Sequence, residues 1–235
     1  MPDDNTLEIE NLLVKLPMFR HVAPAHLHKL ARHAGLHRAA KDAVLYRRGD
    51  PAAGCYALVS GLVKLTMQAP DGAAKVLRLV GPGETFGESA LFDRRPQPVN
   101  ALVLAESRLV FLPAPALYGL LDHDRAFARA MLAGLSQRVH MLIADIEAYS
   151  LSSGTQRIAA FLHALAASSD SAAPARVRLP ANKSVIASRL GVTKETFSRL
   201  LHELTSQGLV EVSRRDIALL DPQRLAELAR GAKAN

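Results

Sequence analysis

One short stretch of the chain places several hydrogen-bonding groups along a single edge of a predicted helix. In GVTKETFSRLLHELTSQG, residues 191–208, an acid (Glu195), a hydroxyl (Ser198), a guanidinium (Arg199) and an imidazole (His202) fall on one side. Each residue turns an α-helix by about 100°, so these groups lie opposite an apolar stripe. The stripe consists of Phe197, Leu200, Leu201 and Leu204. It is typical of a core-facing helix, whereas a plainly solvated opposite face would carry repeated Glu and Lys.

The polar edge has the chemistry needed to read DNA bases. Arg199 could bond to the O6 and N7 atoms of guanine, and Glu195 could accept a hydrogen bond from the N4 amine of the paired cytosine. The Ser198 hydroxyl can donate or accept. The alternative is an ordinary solvated helix with a Glu195–Arg199 pair at i, i+4, which would contribute only about 0.2–0.5 kcal/mol. The residues alone therefore leave a reading edge and a solvated face as the two interpretations, with His202 as an exposed bystander.

A reading helix needs a scaffold, and the preceding sequence predicts one. NKSVIASRLG (182–191) predicts a helix in which Ala187 is small where two helices approach, and Gly191 lies at the turn between them. Thr193 is the predicted N-cap of the second helix, with Thr196 three positions further on. The pattern is that of a helix-turn-helix.

Further elements complete this C-terminal domain. TQRIAAFLHALAA (155–167) predicts an opening helix, and RVRLP (176–180) predicts a short strand. LVEVSRRDIALLD (209–221) predicts two strands around a basic turn, which would form a wing. From residue 154 onward the chain holds 12 Lys and Arg against 7 Asp and Glu, an excess of positive charge that suits a polyanion such as DNA.

The first half of the chain has a different pattern. PMFRHVAPAHLHKLARHAG (17–35) predicts a short helix closed by Gly35. From 36 to 112, short apolar runs alternate with Gly, Pro and Asp, which predicts a small β-barrel or sandwich. PDG at 70–72 predicts a hairpin turn, because Pro presets φ and Gly accepts a positive φ.

Between these domains the sequence predicts one long helix, from about Pro115 to residue 152. Its apolar residues fall at spacings of 3, 4, 3, 4 and 3, which is the a/d pattern of a coiled coil. They are Leu132, Leu135, Val139, Leu142, Ile146 and Tyr149. We predict that this stripe is the seam of a parallel homodimer; the alternative is a long helix packed on its own domain. SLSSGTQ (150–156) is small and polar and predicts a hinge.

Composition excludes several classes of protein. The 235 residues are 49% hydrophobic and 22% charged, as in globular domains, and no apolar run is long enough to span a membrane. The acidic N-terminus does not resemble a signal peptide, so we expect a cytoplasmic protein. Cys55 is the single cysteine and cannot form an internal disulfide. The sequence contains no nucleophile elbow, zinc-ligand spacing or phosphate loop, so we do not expect an enzyme.

Two motifs and their order resemble the Crp–Fnr superfamily of bacterial transcription regulators. GETFGESALF (83–92) is similar to the family's effector-binding cassette, and IASRLGVTKETFSRLLHELTSQGLV (186–210) is similar to its DNA-binding signature. Within the family, ETFSR and DIEAYSLSSGTQRI (145–158) most resemble the Dnr type, which regulates denitrification in response to nitric oxide. The cyclic-AMP receptor has Gly where this chain has Ser198.

The resemblance implies an α+β protein of three parts. They are an N-terminal β-roll (a double-stranded, jelly-roll-like domain of the cyclic-nucleotide-binding type) at 1–125, a dimerisation helix with its hinge at 126–153, and a winged helix-turn-helix at 154–235. It also implies an inverted-repeat operator resembling TTGAT-N4-ATCAA, whose bases are read by Glu195, Ser198 and Arg199. The residues expected at the DNA backbone are Thr193, Lys194, Thr196, Arg214 and Arg215. RNA polymerase is an expected partner.

The effector is less clearly indicated. The cassette resemblance suggests a pocket formed by Gly83, Glu84, Phe86, Gly87, Glu88, Val99, Asn100, Leu142 and Ile143. Cyclic-nucleotide binders of the family carry Arg followed by Ser or Thr where this chain has Val99 and Asn100, and a buried phosphate without its cation would be costly. They also have hydroxyl residues in place of Leu142 and Ile143. We therefore do not expect cyclic AMP.

The family resemblance suggests two metal cofactors as candidates for sensing the effector. An iron–sulfur cluster needs several cysteines, which Cys55 alone does not provide. Haem is the remaining candidate, and its weak candidate ligands are His21, His26, His33 and His140. His26 and His33 would share a face with His37 if their helix continued past Gly35. Where some Dnr-type proteins carry a His pair, this chain has Pro17 and Met18, so no ligand is assigned.

A second class of function remains open at this point. The protein could be a ligand-binding signalling module whose C-terminal domain docks a protein partner instead of DNA. The basic wing and the edge formed by Glu195, Ser198 and Arg199 favour DNA.

Overall fold

A computed structural model describes most of the chain. The described residues are 4–68, 74–151, 153–167 and 176–231. The chain divides into two compact units, Met1–Met141 and Leu142–Asn235, and the division falls within a long helix. The predicted PDG turn at 70–72 lies outside the described residues.

The N-terminal unit contains helices before, between and after its strands. They are α1 (Asp4–Leu13), a 3-10 turn (Pro17–Phe19), α2 (Pro24–Ala31), α3 (Glu88–Phe92), α4 (Ala114–His123) and α5 (Arg125–Leu151), the last of which continues into the second unit. The short helix predicted within 17–35 is present as α2, but its predicted end at Gly35 was wrong. Gly35 instead begins a strand, because its backbone pairs with Phe111 of a neighbouring strand.

Six strands form one antiparallel sheet. They are β1 (Gly35–Ala39), β2 (Val44–Tyr46), β3 (Gly54–Gln68), β4 (Ala74–Val80), β5 (Thr85–Phe86) and β6 (Asn100–Pro113). The order is β1-β6-β3-β4, with β2 added to β6 and β5 added to β3. The predicted β domain from 36 to 112 is confirmed.

The long strand β3 bends at Gly61. Its register with β6 shifts between Leu58 and Ser60, Ser60 and Leu62, and Leu62 and Val63. Gly61 has φ +99°, and a Cβ there would collide with the Ser107 side chain. The Ser107 hydroxyl instead accepts a hydrogen bond from the Leu62 amide at 3.2 Å and donates one to the Ala105 carbonyl at 2.7 Å. The bulge thus curves the sheet.

Two apolar clusters hold this unit together. One joins α1, α2, α4 and the start of α5 to β3 and β6, with Phe19, Leu112 and Phe127 almost fully buried. The other lies among the strands and includes Tyr46 and Phe86. Because Phe86 belongs to the cassette at 83–92, the second cluster contains part of the cassette.

The predicted long helix is interrupted at Asp124. Asp124 is extended (φ −132°) and separates α4 from α5. Its carboxylate accepts hydrogen bonds from the Ala126 and Phe127 amides at 2.9 Å and so caps α5. One turn of α5 packs closely on the 3-10 turn because Gly134 lies where a Cβ would collide with the Met18 carbonyl.

The C-terminal unit contains four further helices and a three-stranded sheet. Its elements are α6 (Gly154–Ala167), β7 (Arg176–Arg178), α7 (Lys183–Arg189), α8 (Lys194–Ser206), β8 (Val210–Ser213), β9 (Asp216–Leu219) and α9 (Pro222–Ala229). The strand order is β7-β9-β8, all antiparallel. The α+β fold class with a winged helix-turn-helix is confirmed.

The sequence analysis did not predict α9. Asp221 caps it, since its side chain accepts a hydrogen bond from the Arg224 amide at 2.9 Å, and Pro222 occupies its first turn. Leu225 is the residue of α9 that is fully buried. The Asp-Pro pair was the available signal.

Candidate DNA-binding surface and effector region

Helix α8 has the two faces that the sequence predicted. Its four apolar residues Phe197, Leu200, Leu201 and Leu204 are buried. The opposite edge is exposed at Lys194, Glu195, Ser198, Arg199 and His202. Side chains of both charges and a hydroxyl are thus exposed to solvent on a helix whose opposite side is buried in the core.

The start of α8 is capped as predicted. The Thr193 hydroxyl accepts a hydrogen bond from the Thr196 amide at 3.1 Å. The two hydroxyls are also bonded to each other at 3.0 Å, so both belong to the cap. Since the first turn of a helix leaves amide groups unsatisfied, this end of α8 favours an anion nearby.

The free protein holds Arg199 in an ion pair that the sequence analysis missed. Arg199 Nη1 lies 2.5 Å from Glu203 Oε1, and the Arg199 side chain is 65% exposed. The alternative pair with Glu195 is therefore not the arrangement seen. The i, i+4 spacing of Arg199 and Glu203 was the available signal. The pair holds the guanidinium along the helix and leaves Glu195 separate.

Helix α7 and its turn position α8. Asn182 caps α7, since its side chain accepts from the Val185 amide at 2.9 Å. Ala187 is buried in α7, and Gly191 has φ +67° at the turn. Only a residue that tolerates the left-handed region fits at Gly191 without strain, so the predicted place of Gly191 in the turn is confirmed.

The predicted wing consists of β8, β9 and the two-residue turn between them. Ser213 pairs with Asp216, which leaves Arg214 and Arg215 as the turn. Arg214 is exposed, with φ +56°. The Arg215 guanidinium donates to the Leu179 carbonyl, at 2.7 Å from Nη2 and 3.2 Å from Nε. The two arginines, both expected at the DNA backbone, thus have different surroundings.

The predicted dimer seam is exposed over part of α5. Of its residues, Leu132, Val139 and Leu142 are 66%, 52% and 44% exposed. Leu135 differs, because it is half-buried against the core of its own N-terminal unit. The side chains of Ile146 and Tyr149 lie outside the described residues.

The cassette contains one carboxylate that is paired. Glu84 bonds to the Arg78 guanidinium at 2.7 Å and accepts from the Gly81 amide at 2.6 Å. Arg78 also donates to the Thr85 carbonyl at 3.2 Å. Arg78, Glu84 and Thr85 line a cavity of about 80 Å³ that also touches Met18 and Gly134. Arg78 was missed from the sequence, because β4 lies outside the cassette motif.

The second cassette carboxylate lies inside the domain. Glu88 and Gln97 are 8% and 3% exposed, and among the described residues no hydrogen-bond partner reaches Glu88 Oε2 or Gln97 Oε1. Burial raises the pKa of the Tyr46 hydroxyl, and the nearby Glu88 charge raises it further. Two buried acceptors without donors are unusual in a folded domain.

The other predicted pocket residues differ in burial. Phe86 and Gly87 are buried, and Phe86 stacks on Tyr56 with ring centroids 5.3 Å apart. Val99 packs against the same apolar cluster. Asn100 accepts a hydrogen bond from the Arg48 amide at 2.9 Å. Gly83 is exposed, as are Leu142 and Ile143.

The structure does not bring the candidate haem ligands together. His21, His33 and His140 are exposed, and His33 lies beyond the end of α2. His26 is mostly buried, and its Nε2 lies 2.5 Å from the Asp124 carboxylate. The predicted shared face with His37 was wrong, because His37 belongs to β1. Within the described ranges, no group of three His, Cys, Asp or Glu could hold a metal ion.

Two further expectations bear on reactivity and on membranes. Cys55 is fully buried, and burial raises the pKa of its thiol, so the thiol is unreactive. In the part of the chain that the structure describes, no helix is both long enough and apolar enough to cross a membrane.

Fold and surface together define a two-domain protein with a winged helix-turn-helix, and comparison with known families agrees. Residues 36–124 match the family described as cyclic nucleotide-binding domain. Residues 156–228 match the family described as Crp-like helix-turn-helix domain. Both matches fall within the corresponding halves of the structure.

Individual relatives extend over nearly the whole chain. The crystal structure of DNR from Pseudomonas aeruginosa is 32% identical, covers 96% of this chain and 99% of its own, and has a TM-score of 0.55. FixK2 from Bradyrhizobium japonicum is 25% identical, covers 86% and 99%, and has a TM-score of 0.74. The CRP-like cAMP-activated global transcriptional regulator of Mycobacterium tuberculosis is 24% identical and covers 94% and 100%. The chain belongs to the Crp–Fnr family of DNA-binding transcription regulators.

Proposed function

We propose that this protein is a homodimeric regulator that binds an inverted-repeat operator and responds to an effector in its N-terminal domain. One observation carries the proposal. Glu195, Ser198 and Arg199 are exposed along one edge of α8, directly opposite four buried apolar residues. A helix fixed in this way can enter the major groove with its reading groups already oriented.

The exposed stripe on α5 supports the homodimer. Leu132 and Val139 are large apolar side chains, seven residues apart and more than half exposed. Packing the same stripe of a second copy against them would remove this apolar area from water. A symmetric dimer then presents two copies of α8 and requires an operator with the same symmetry.

We further propose an operator resembling TTGAT-N4-ATCAA. Its half-site contains a single G·C pair, which would be read by Arg199 on the guanine and by Glu195 on the cytosine. The two α8 helices would enter major grooves about 10–10.5 base pairs apart. In the free protein Glu203 holds Arg199, so binding exchanges that exposed ion pair for contacts with guanine.

Contacts with the DNA backbone would come from both sides of this helix. Lys194 is exposed in the first turn of α8, and the hydroxyls of Thr193 and Thr196 lie at the same end. Arg214 is exposed on the wing. Such contacts position the protein on the duplex but do not specify sequence. RNA polymerase, the expected partner at a promoter, is included in the proposal on family grounds alone.

Nitric oxide is the candidate effector, and the resemblance to the Dnr type supports it. Haem is the candidate carrier, but the described histidines do not assemble a site for it, so no ligand residue is proposed. The test is an absorbance spectrum of the protein as purified and after haem addition, before and after nitric oxide. A specific haem spectrum that is lost on substitution of one histidine would identify the site.

Cyclic AMP is the second candidate effector, because the mycobacterial relative is named as cAMP-activated. The cassette argues against it. Val99 cannot neutralise a phosphate, and the Arg78 guanidinium is already paired with Glu84. We expect calorimetry to detect no micromolar binding of cyclic AMP, and such binding would reverse the order of the two candidates.

The DNA proposal is tested by selection of bound sequences from random duplexes. We expect an inverted repeat with one conserved G·C pair in each half-site. A protein that retains no duplex above background, at low salt and with effector candidates present, would instead support the alternative of a module that docks a protein partner. A consensus without an inverted repeat would contradict the proposed dimer on DNA.

A further inference from the structure

The two arginines at the tip of the wing are adjacent in sequence but differ in what they contact. The Arg215 guanidinium turns back and donates two hydrogen bonds to the Leu179 carbonyl, at 2.7 and 3.2 Å. The Arg215 carbonyl in turn accepts a hydrogen bond from the Leu179 amide at 2.8 Å. One residue of the wing therefore satisfies both backbone polar groups of Leu179.

Leu179 lies where the sheet ends and the helix-turn-helix begins. It follows the last residue of β7, its side chain is fully buried, and Pro180 comes next. Three residues after Leu179, Asn182 caps α7. Since backbone carbonyls in partly buried positions need a donor, the Arg215 fork completes the hydrogen bonding of this connection. It joins the wing turn directly to the segment that enters α7.

Arg214 has no comparable place in the scaffold. It is exposed at the tip of the two-residue turn, and its φ of +56° is uncommon for a residue other than glycine. Its neighbours Ser213 and Asp216 form the last pair of the hairpin. An exposed guanidinium at the tip of a basic hairpin is available for a phosphate oxygen.

We propose that Arg215 is a positioning residue that fixes the wing relative to the helix-turn-helix, and that Arg214 is the wing residue that contacts a DNA phosphate. The inference rests on the proposed function, because it assumes that the wing meets DNA. Arg215 then acts on DNA through Arg214: when the fork is lost, the tip is no longer held where Arg214 can reach its phosphate.

A double-mutant cycle on the full-length protein tests this assignment. Binding to the wild-type selected operator is measured over a range of salt concentrations for Arg214→Ala, Arg215→Ala, Arg215→Lys and the double alanine variant. For Arg214→Ala we expect the slope of log K against log salt to fall by about 0.9 for each wing, and so by about 1.8 for the dimer. The double variant should bind within about twofold of the weaker single variant, because the two residues serve one contact.

Arg215→Lys separates charge from geometry. Lysine keeps the positive charge and still binds phosphate as a point charge, but it lacks the planar fork. We expect Arg215→Lys to bind DNA as weakly as Arg215→Ala. Wild-type affinity for Arg215→Lys would overturn the assignment, as would losses from the two alanine variants that multiply and lower the salt slope independently. Either result would make Arg215 a phosphate contact in its own right.

Hydrogen exchange without DNA provides a readout that does not depend on binding. The Leu179 amide should lose protection in Arg215→Lys and Arg215→Ala but keep it in Arg214→Ala. Unchanged protection in both Arg215 variants would overturn the positioning role. Failure of the proposed function is distinguishable, because wild-type protein would then show no preference for any inverted repeat while its wing remained protected.

Discussion

The recognition helix α8 and the effector cassette at 83–92 place their polar groups in opposite ways. On α8, Glu195 and Arg199 face solvent, and the buried side is entirely apolar. In the cassette, Glu88 is buried in the N-terminal domain with one oxygen unpaired, and its only helix, α3, has five residues. The proposed DNA-reading groups therefore lie outside the folded core, whereas Glu88 of the cassette lies within it.

This difference has an energetic consequence. Exposed reading groups contribute little to folding, so their removal should change DNA binding and leave stability unchanged. Buried polar groups without partners lower stability, and such groups are often kept for function. The two regions should therefore respond differently to the same kind of substitution.

The largest expected effect comes from the proposed dimer stripe on α5, which would bring two copies of α8 to the operator. In Leu132→Glu/Val139→Glu, charge in the seam should yield monomers, because unpaired charges are costly to bury. Loss of bivalent attachment should weaken operator binding by about 10²–10⁴-fold. Sedimentation velocity and operator titration measure both effects.

Leu135→Glu is the matched control on the same helix. Leu135 packs on its own N-terminal core, so this variant should lower the free energy of unfolding of the protomer itself, whereas the Leu132/Val139 variant should lose only the stabilisation that dimerisation provides. A double variant that still sediments as a dimer would place the interface elsewhere.

The second effect lies on α8 itself. Arg199→Ala should cost about 1–3 kcal/mol for each half-site and relax the preference for the G·C pair. The free energy of unfolding should remain within about 0.5 kcal/mol of wild type, because an exposed ion pair contributes little. Selection from random duplexes and urea denaturation provide the two measurements.

Glu203→Gln is the control for Arg199. It removes the partner that holds the guanidinium in the free protein but leaves the reader in place. We expect unchanged sequence preference and equal or slightly tighter binding. If Arg199→Ala still demanded G·C at that position, the α8 edge would not be the reader.

Local patterns predicted the elements around α8 well. Its 3.6-residue periodicity, the Thr193 cap and Gly191 at the turn are properties of neighbouring residues, and each was confirmed. The Arg199–Glu203 pair could have been found in the same way. Helix α9 was missed even though its Asp221-Pro222 start was visible in the sequence.

Long-range packing decided the features that the sequence did not reveal. Gly35 read as a helix end, but pairing with β6 made it the start of β1. Arg78 reaches Glu84 because β4 passes the cassette. The Arg215 guanidinium donates to the carbonyl of Leu179, which lies 36 residues earlier in the chain. None of these contacts leaves a periodic signal in the sequence.

The third prediction contrasts the two cassette carboxylates. Glu88→Gln should raise the free energy of unfolding by about 1 kcal/mol, because it replaces a buried carboxylate whose oxygen lacks a partner. Glu84→Gln should lower it by about 0.5–1 kcal/mol, because it removes the pair with Arg78 at a half-exposed site. Urea denaturation of both variants tests the contrast. A loss of stability in Glu88→Gln would mean that the Glu88 carboxylate is satisfied.

The smallest expected effect on stability concerns Asp124. This partly exposed residue of the N-terminal unit caps α5. Hydrogen bonds from the Phe127 amide and from His26 lower the pKa of its carboxyl below the ordinary 3.8. Ionisation of Asp124 therefore favours the folded state. Its contribution to stability is fully present above about pH 3.8, and it is lost as pH falls through the lower folded pKa.

Asp124→Asn tests this pH dependence, because it keeps a capping side chain but removes the charge. We expect a modestly lower denaturation midpoint at neutral pH and a difference from wild type that shrinks at acid pH. Asp122→Asn, at an exposed neighbour on α4, should show no such dependence. If the difference in denaturation midpoint between Asp124→Asn and wild type did not change with pH, Asp124 would act through the cap alone. Its contact with His26 would then contribute nothing to stability.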